Sequence, residues 1–250
     1  MKFNDIPEDF KKKIELYYNN KLKNKKYHNH NLLSINNIFF PENIKTSHQK
    51  FEVLSTEHIN YMILAFYLLD ILHKFLLENN IIYTISHGNL LGYYRENGQI
   101  VWDDDIDILL VDEKGKKILL DLWENSGKEH KIWDKNWLYK NITLNNNNII
   151  LCKMIYSPNQ FKICVNNKVN KNEMKDFGGV DITFLNDKKQ DGLLGADFSI
   201  IDTIETNTIN YPIVQYGPVY ARALIEKPSI ELLNICYGKN WINKNHPLLN

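Results

Sequence analysis

The sequence predicts a domain of mixed α+β or α/β class, and three observations carry that expectation. Apolar residues recur at three- and four-residue intervals over residues 56–79, which is a helical period. Short β-branched apolar runs at 81–86, 106–111 and 178–185 read as strands. Over 137–169 apolar and polar residues alternate between Asn-rich turns, the pattern of antiparallel strands.

Along the chain, residues 1–50 alternate Lys, Asn, Tyr and His, with Pro7 placed to open a helix reaching about Lys23. They are set apart as an Asn/Lys-rich helical extension, and 51–250 as the main domain. Thr56 is placed to cap an amphipathic helix, with Asp70 and His73 on a partly exposed edge. The strand at 81–86 runs straight into His87-Gly88-Asn89, after which a helix is expected from Leu90 to Glu96, closed by Asn97-Gly98. Asp112 to Gly115 turns from the second strand into a helix ending near Ser126. The strand at 178–185 carries one carboxylate, Asp181, and a last short helix follows Pro228 and ends at Gly238. The polar run Asn145 to Asn148 is read as compositional bias, without function.

At 250 residues the chain is long enough to bury a substantial core around a cleft. Lys plus Arg total 30 and Asp plus Glu total 30, so no global positive field attracts a polyanion, and nucleic acid is excluded as an expected partner. Cys152, Cys164 and Cys236 are an odd set without metal-like spacing and read as reduced core residues. The start, MKFNDIPEDFKKK, has no apolar run resembling a leader, and the apolar stretch 61–77 is broken by Asp70, His73 and Lys74. The expectation is a cytoplasmic chain without a membrane anchor.

The chemistry concentrates in 86–110, SHGNLLGYYRENGQIVWDDDIDILL. Asp105-Ile106-Asp107-Ile108 alternates acid and apolar residues, so on a strand both carboxylates share one face while the isoleucines enter the core. Two fixed anions need a counter-charge, which Mg2+ or Mn2+ supplies while also taking oxygens of a substrate phosphate. Gly88 stands between strand and helix, where backbone N–H groups can approach a phosphate. Arg95, on the intervening helix, can neutralise phosphate or hold an acid. An isolated run such as Asp103-Asp104-Asp105 is most often solvated surface. The alternation, and a third acid, Asp181, in another apolar strand, favour a metal or catalytic set.

These residues resemble the LicD/fukutin family of nucleotidyltransferase-fold proteins. The resemblance lies in Gly88-Asn89-Leu90-Leu91-Gly92, Arg95, Gly98 and Trp102-Asp103-Asp104-Asp105-Ile106-Asp107, with a closing Tyr237-Gly238-Lys239-Asn240-Trp241. It implies an α+β, polymerase-β-like fold, a mixed sheet flanked by helices. It also implies transfer of a substituted phosphate, such as phosphocholine or a pentitol phosphate, from a CDP-linked donor to a sugar or glycan hydroxyl. Carried over, Asp105, Asp107 and Asp181 become catalytic residues and metal ligands, with Asp181 as third ligand or general base. Asp103 becomes an additional ligand, and Asp104 points away. Gly88, Asn89, Arg95, Trp102 and Lys239 become substrate contacts, although Tyr237, Lys239 and Trp241 also suit a role in locking the C-terminal tail. Asn89 stands where the family has Thr or Ser, and His87 reads as a supporting residue. Two alternatives stay open: a nucleotidyltransferase that releases pyrophosphate, and an inactive protein that binds nucleotide or glycan.

Overall fold

The computed structural model describes residues 6–22, 32–35, 38–41, 43–44, 52–53, 56–100, 103, 105–131, 137–155, 160–165, 179–185 and 199–242. The Pro7 carbonyl accepts from Lys11 N–H at 3.0 Å in the first turn of α1 (Glu8–Leu22). Two small antiparallel pairs follow, β1 (Leu32–Ile35) with β2 (Ile38–Pro41) and β3 (Asn43–Ile44) with β4 (Glu52–Val53). Next come α2 (Thr56–Glu78), β5 (Tyr83–Ile85), α3 (His87–Glu96), β6 (Ile106–Leu110) and α4 (Glu113–Asn125). The strands β7 (His130–Lys131), β8 (Trp137–Leu144), β9 (Asn147–Met154), β10 (Phe161–Val165) and β11 (Val180–Phe184) complete the main sheet. A short α5 (Ser199–Asp202), the hairpin β12 (Ile213–Tyr216) and β13 (Val219–Arg222), and α6 (Glu226–Tyr237) close the described chain.

The architecture is α+β, a mixed seven-stranded sheet flanked by helices, in the order β5-β6-β11-β10-β9-β8-β7. Only the β6–β11 pairing is parallel within it. Alternation along the strands divides the two faces. Ile106, Ile108, Val180, Ile182, Phe161, Ile163 and Leu151 are all buried, and α2 packs against β6, β8, β10 and β11. Asp107 and Asp181 project from the other face.

The long helix departs from the amphipathic expectation. Every residue from Met62 to Leu69 is buried, because the sheet covers one side and α1 and the β12–β13 hairpin cover the other. Phe10 meets Tyr67 edge-on at 5.0 Å, Tyr17 meets Phe66 at 5.9 Å, and Tyr216 meets Phe66 at 5.9 Å. A helix enclosed on all sides is apolar all round. The hairpin itself carried the turn signal Gly217-Pro218, and Gly217 has φ +59, a left-handed conformation that suits glycine.

Local chemistry sets the joints. Asp112 caps α4 by accepting from Gly115 N–H at 2.6 Å, and its second oxygen accepts from Ile82 N–H at 2.8 Å, which ties the helix start to β5. The Asn run is structural. Asn145 and Asn146 take φ +47 and +62 in the two-residue β8–β9 turn, and the Asn145 amide donates to the Ile71 carbonyl of α2 at 3.2 Å. The α3 helix starts three residues earlier than the sequence suggested, at His87, with Ser86 extended ahead of it. Gly92 lies against its own exit turn: a Cβ there would stand 2.4 Å from the Gly98 carbonyl oxygen. Cys152 and Cys164 are buried as expected, whereas Cys236 is exposed on α6. Among the described residues no helix is long and apolar enough to cross a membrane.

His73 is not at a helix edge but buried, 5% exposed, with Nδ1 2.7 Å from the Tyr83 hydroxyl. Burial, reinforced by the nearby Arg222 guanidinium and opposed by Asp70, lowers its pKa to about 4. A histidine held neutral in the fold but titrating near 6.5 when unfolded contributes stability that is complete above pH 6.5 and is lost as pH falls towards 4. Chemical denaturation should therefore show about 2 kcal/mol less stability at pH 5 than at pH 7 from this group. His73→Gln, which cannot titrate, should flatten that part of the profile; an unchanged slope would count against the assignment.

Candidate active site

The parallel pairing of β6 and β11 sets Asp107 directly opposite Asp181, and paired residues in a sheet point to the same face. The same rung continues through Lys162, Cys152, Tyr139 and His130 across β10, β9, β8 and β7. Asp105 stands two residues before Asp107 and shares its face. One carboxylate oxygen from each of Asp105, Asp107 and Asp181 lies within 4.8 Å of the others, and all three residues are half-buried.

Burying three anions together is costly unless positive charge is near. Lys162 supplies part of it: Nζ donates to Asp181 Oδ2 at 3.2 Å and lies 3.9 Å from Asp105 Oδ2. Burial works against the charged ammonium, but Asp181, followed by further negative groups that include Asp105, outweighs it and raises the Lys162 pKa above its ordinary value. Asp181 Oδ1, by contrast, is buried and has no hydrogen-bond partner among the described residues. An all-oxygen donor set with a buried, unbonded carboxylate oxygen fits a hard divalent cation such as Mg2+ or Mn2+.

The backbone of the acidic segment is fixed from beneath by two buried amides. Asn89, 0% exposed, accepts from the Asp107 N–H at 2.6 Å through Oδ1 and donates through Nδ2 to the Asp105 carbonyl at 3.2 Å and the Tyr216 hydroxyl at 3.0 Å. Gln99, 1% exposed, donates to the Asp103 carbonyl at 2.7 Å and the Asp105 carbonyl at 3.0 Å. Asn89 was expected at the substrate; its amide is instead spent inside the fold, holding the strand that carries the acids. Neither Gln99 nor Lys162 was singled out from the sequence. The signal for Lys162 was a lone cation inside the apolar strand Phe-Lys-Ile-Cys-Val.

The remaining expected residues fall around this centre unevenly. Asp103 is outside the group of three acids, and its Oδ2 stands 2.9 Å from where a Cβ on Gly88 would be, so the open space beside Gly88 faces that carboxylate. Arg95 is in the last turn of α3, ~10 Å along the axis from Gly88, where its charge complements the carbonyl end of the helix. Lys239 is exposed beyond α6, while Trp241 is buried against Leu91, Ile100 and Leu233, which locks the tail onto α3. Trp102 and Asp104 lie outside the described residues. His87 lines the cleft and holds φ +49, an uncommon conformation for a non-glycine residue.

Beside Asp107 and Asp181 a cavity of about 360 Å3 opens, walled by Trp137, Met154, Phe161 and Thr183, with Gln160 and His87 at its edge. Its size suits a small organic substrate with the carboxylates at one end.

Removing the Asn89 amide should take the acceptor from the Asp107 N–H and one donor each from the Asp105 carbonyl and the Tyr216 hydroxyl. Asn89→Ala is expected to cost on the order of 3 kcal/mol in chemical denaturation and to speed hydrogen exchange at the Asp107 amide. Wild-type stability with unchanged exchange would refute the clamp.

A family model described as LicD/FKTN/FKRP, nucleotidyltransferase domain, matches residues 80–178. No curated protein matches the chain. The matched stretch carries Asp105, Asp107, Asn89, Gln99 and Lys162, and ends just before β11, which brings Asp181 onto the same rung. Residues 80–178 of this chain are thus similar to the nucleotidyltransferase domains described as LicD/FKTN/FKRP.

Proposed function

We propose that the chain is a metal-dependent transferase that moves a substituted phosphate from a CDP-linked donor to a hydroxyl of a sugar or glycan, on a polymerase-β-like fold. The observation that carries this reading is the convergence of Asp105, Asp107 and Asp181, with one oxygen of each within 4.8 Å of the others, beside a partly open cleft. The family match over residues 80–178 supports phosphotransfer in general; the donor, the acceptor and the ion are our reading. We read residues 1–50 as an extension to the catalytic unit and the site of action as cytoplasmic.

Asp105, Asp107 and Asp181 would hold Mg2+ or Mn2+, which when bound supplies charge neutralisation for the phosphate oxygens. The acceptor oxygen attacks the distal phosphorus of the donor, and the bond from that phosphorus to the bridging oxygen breaks, so CMP leaves with the bond's electron pair. Asp181 is assigned as third ligand through Oδ1, which has no hydrogen bond among the described residues, and the proton of the attacking hydroxyl then passes to water. A general-base role for Asp181 is the alternative and would need Oδ1 free of the ion. Trp137, Met154 and Phe161 line the cleft with apolar surface that keeps water from the donor. Gly88, at the first turn of α3, and Arg95 remain our assignments for the donor's phosphates, with Trp102 and Lys239 as further substrate contacts and Asp103 as an outer ligand.

Incubation with Mg2+, a panel of CDP-linked donors and sugar acceptors should release CMP from at least one donor. Asp105→Asn and Asp107→Asn should each lower that rate by about 100-fold or more. Pyrophosphate as the nucleotide product would favour a nucleotidyltransferase instead. Nucleotide binding without turnover, unchanged in Asp107→Asn, would identify an inactive binding protein.

A further inference from the structure

We infer that Lys162 is a standing cation of the acid cluster, holding it together before metal arrives and limiting the substrate-free site to one divalent ion. This rests on the metal-dependent reading of Asp105, Asp107 and Asp181.

Lys162 occupies the middle of β10, paired on one side with Asp181 of β11 and on the other with Cys152 of β9. With a strand on each flank and Phe161, Ile163 and Cys164 buried beside it, the side chain lies on the sheet face that bears the acids. It is 18% exposed, so water screens its attraction to the acids only weakly. The ammonium takes Oδ2 of Asp181 and leaves the buried Oδ1 of the same carboxylate without a hydrogen bond among the described residues. One oxygen is thus committed to the fixed cation and the other is left for a mobile one.

Charge balance gives the stoichiometry. Three carboxylates and one ammonium leave two negative charges, which a single divalent ion cancels. A second divalent ion in the absence of a phosphate would make the half-buried cluster net positive, and burying uncompensated charge is unfavourable. Removing the ammonium should therefore tighten metal binding, an effect opposite to that of losing a merely structural ion pair.

Mn2+ titration of the whole chain, followed by the electron paramagnetic resonance signal of free Mn2+, tests this in wild type, K162M and K162R, with D107N as control. Wild type and K162R should bind one Mn2+ per chain with similar affinity, and K162M should bind it about ten-fold tighter or more. In EDTA, K162M should melt below wild type and regain stability with Mn2+. If K162M does not fold without metal, K162Q, which keeps a donor for Asp181, replaces it under the same criteria. Equal or weaker Mn2+ affinity in the folded variant, or two Mn2+ per wild-type chain, overturns the inference while loss of binding in D107N leaves the metal reading standing. No Mn2+ binding by either wild type or K162M overturns both.

Discussion

The register between β6 and β11 is the constraint on which the site depends. A slip of one residue would turn one strand's acid into the isoleucine-lined core and one strand's isoleucine into the cleft, because successive side chains alternate faces. Several contacts hold the register in place. The apolar partners Ile106–Val180 and Ile108–Ile182 must face α2, the Ile106 N–H donates to the Gly179 carbonyl at 3.1 Å, and the Asn89 and Gln99 amides grip the backbone of the segment entering β6. Packing on one face of the sheet thereby fixes chemistry on the other.

The three acids and Lys162 form a balance of opposed costs. Carboxylates placed this close repel one another, and the sheet keeps them together because its apolar face is buried over a large area. Lys162 relieves part of that repulsion, and the cluster retains a net negative charge suited to a divalent ion. The cleft beside it has apolar walls and a charged end. Such a shape suits a small organic ligand whose polar end lies at the carboxylates.

Much of this was legible in the sequence wherever a residue's neighbours along the chain determined its role. Alternation in Asp105-Ile106-Asp107-Ile108 gave the face of each side chain, and an acid inside an apolar strand marked Asp181. The helices 8–22 and 113–125 followed from Pro7 and Asp112. What escaped depended on partners distant in sequence. The part Lys162 plays is set only when β10 pairs with β11, and Asn89 reads as a substrate contact until Tyr216 and the Asp107 N–H claim its amide. The enclosure of α2 was hidden for the same reason, since α1 and the β12–β13 hairpin come from opposite ends of the chain. Asn145 and Asn146 are legible as part of an Asn-rich turn between strands, but the contact of the Asn145 amide with the Ile71 carbonyl of α2 depends on a residue distant in sequence.

We propose that Asp105, Asp107 and Asp181 together hold one divalent cation at the parallel pairing of β6 and β11. The most direct measurement is anomalous diffraction at the manganese edge from crystals of the protein grown with Mn2+. A peak is expected ~2.2 Å from an oxygen of each of the three carboxylates, including Oδ1 of Asp181. A peak elsewhere, or no peak with Lys162 still paired to Asp181 in excess Mn2+, would contradict it.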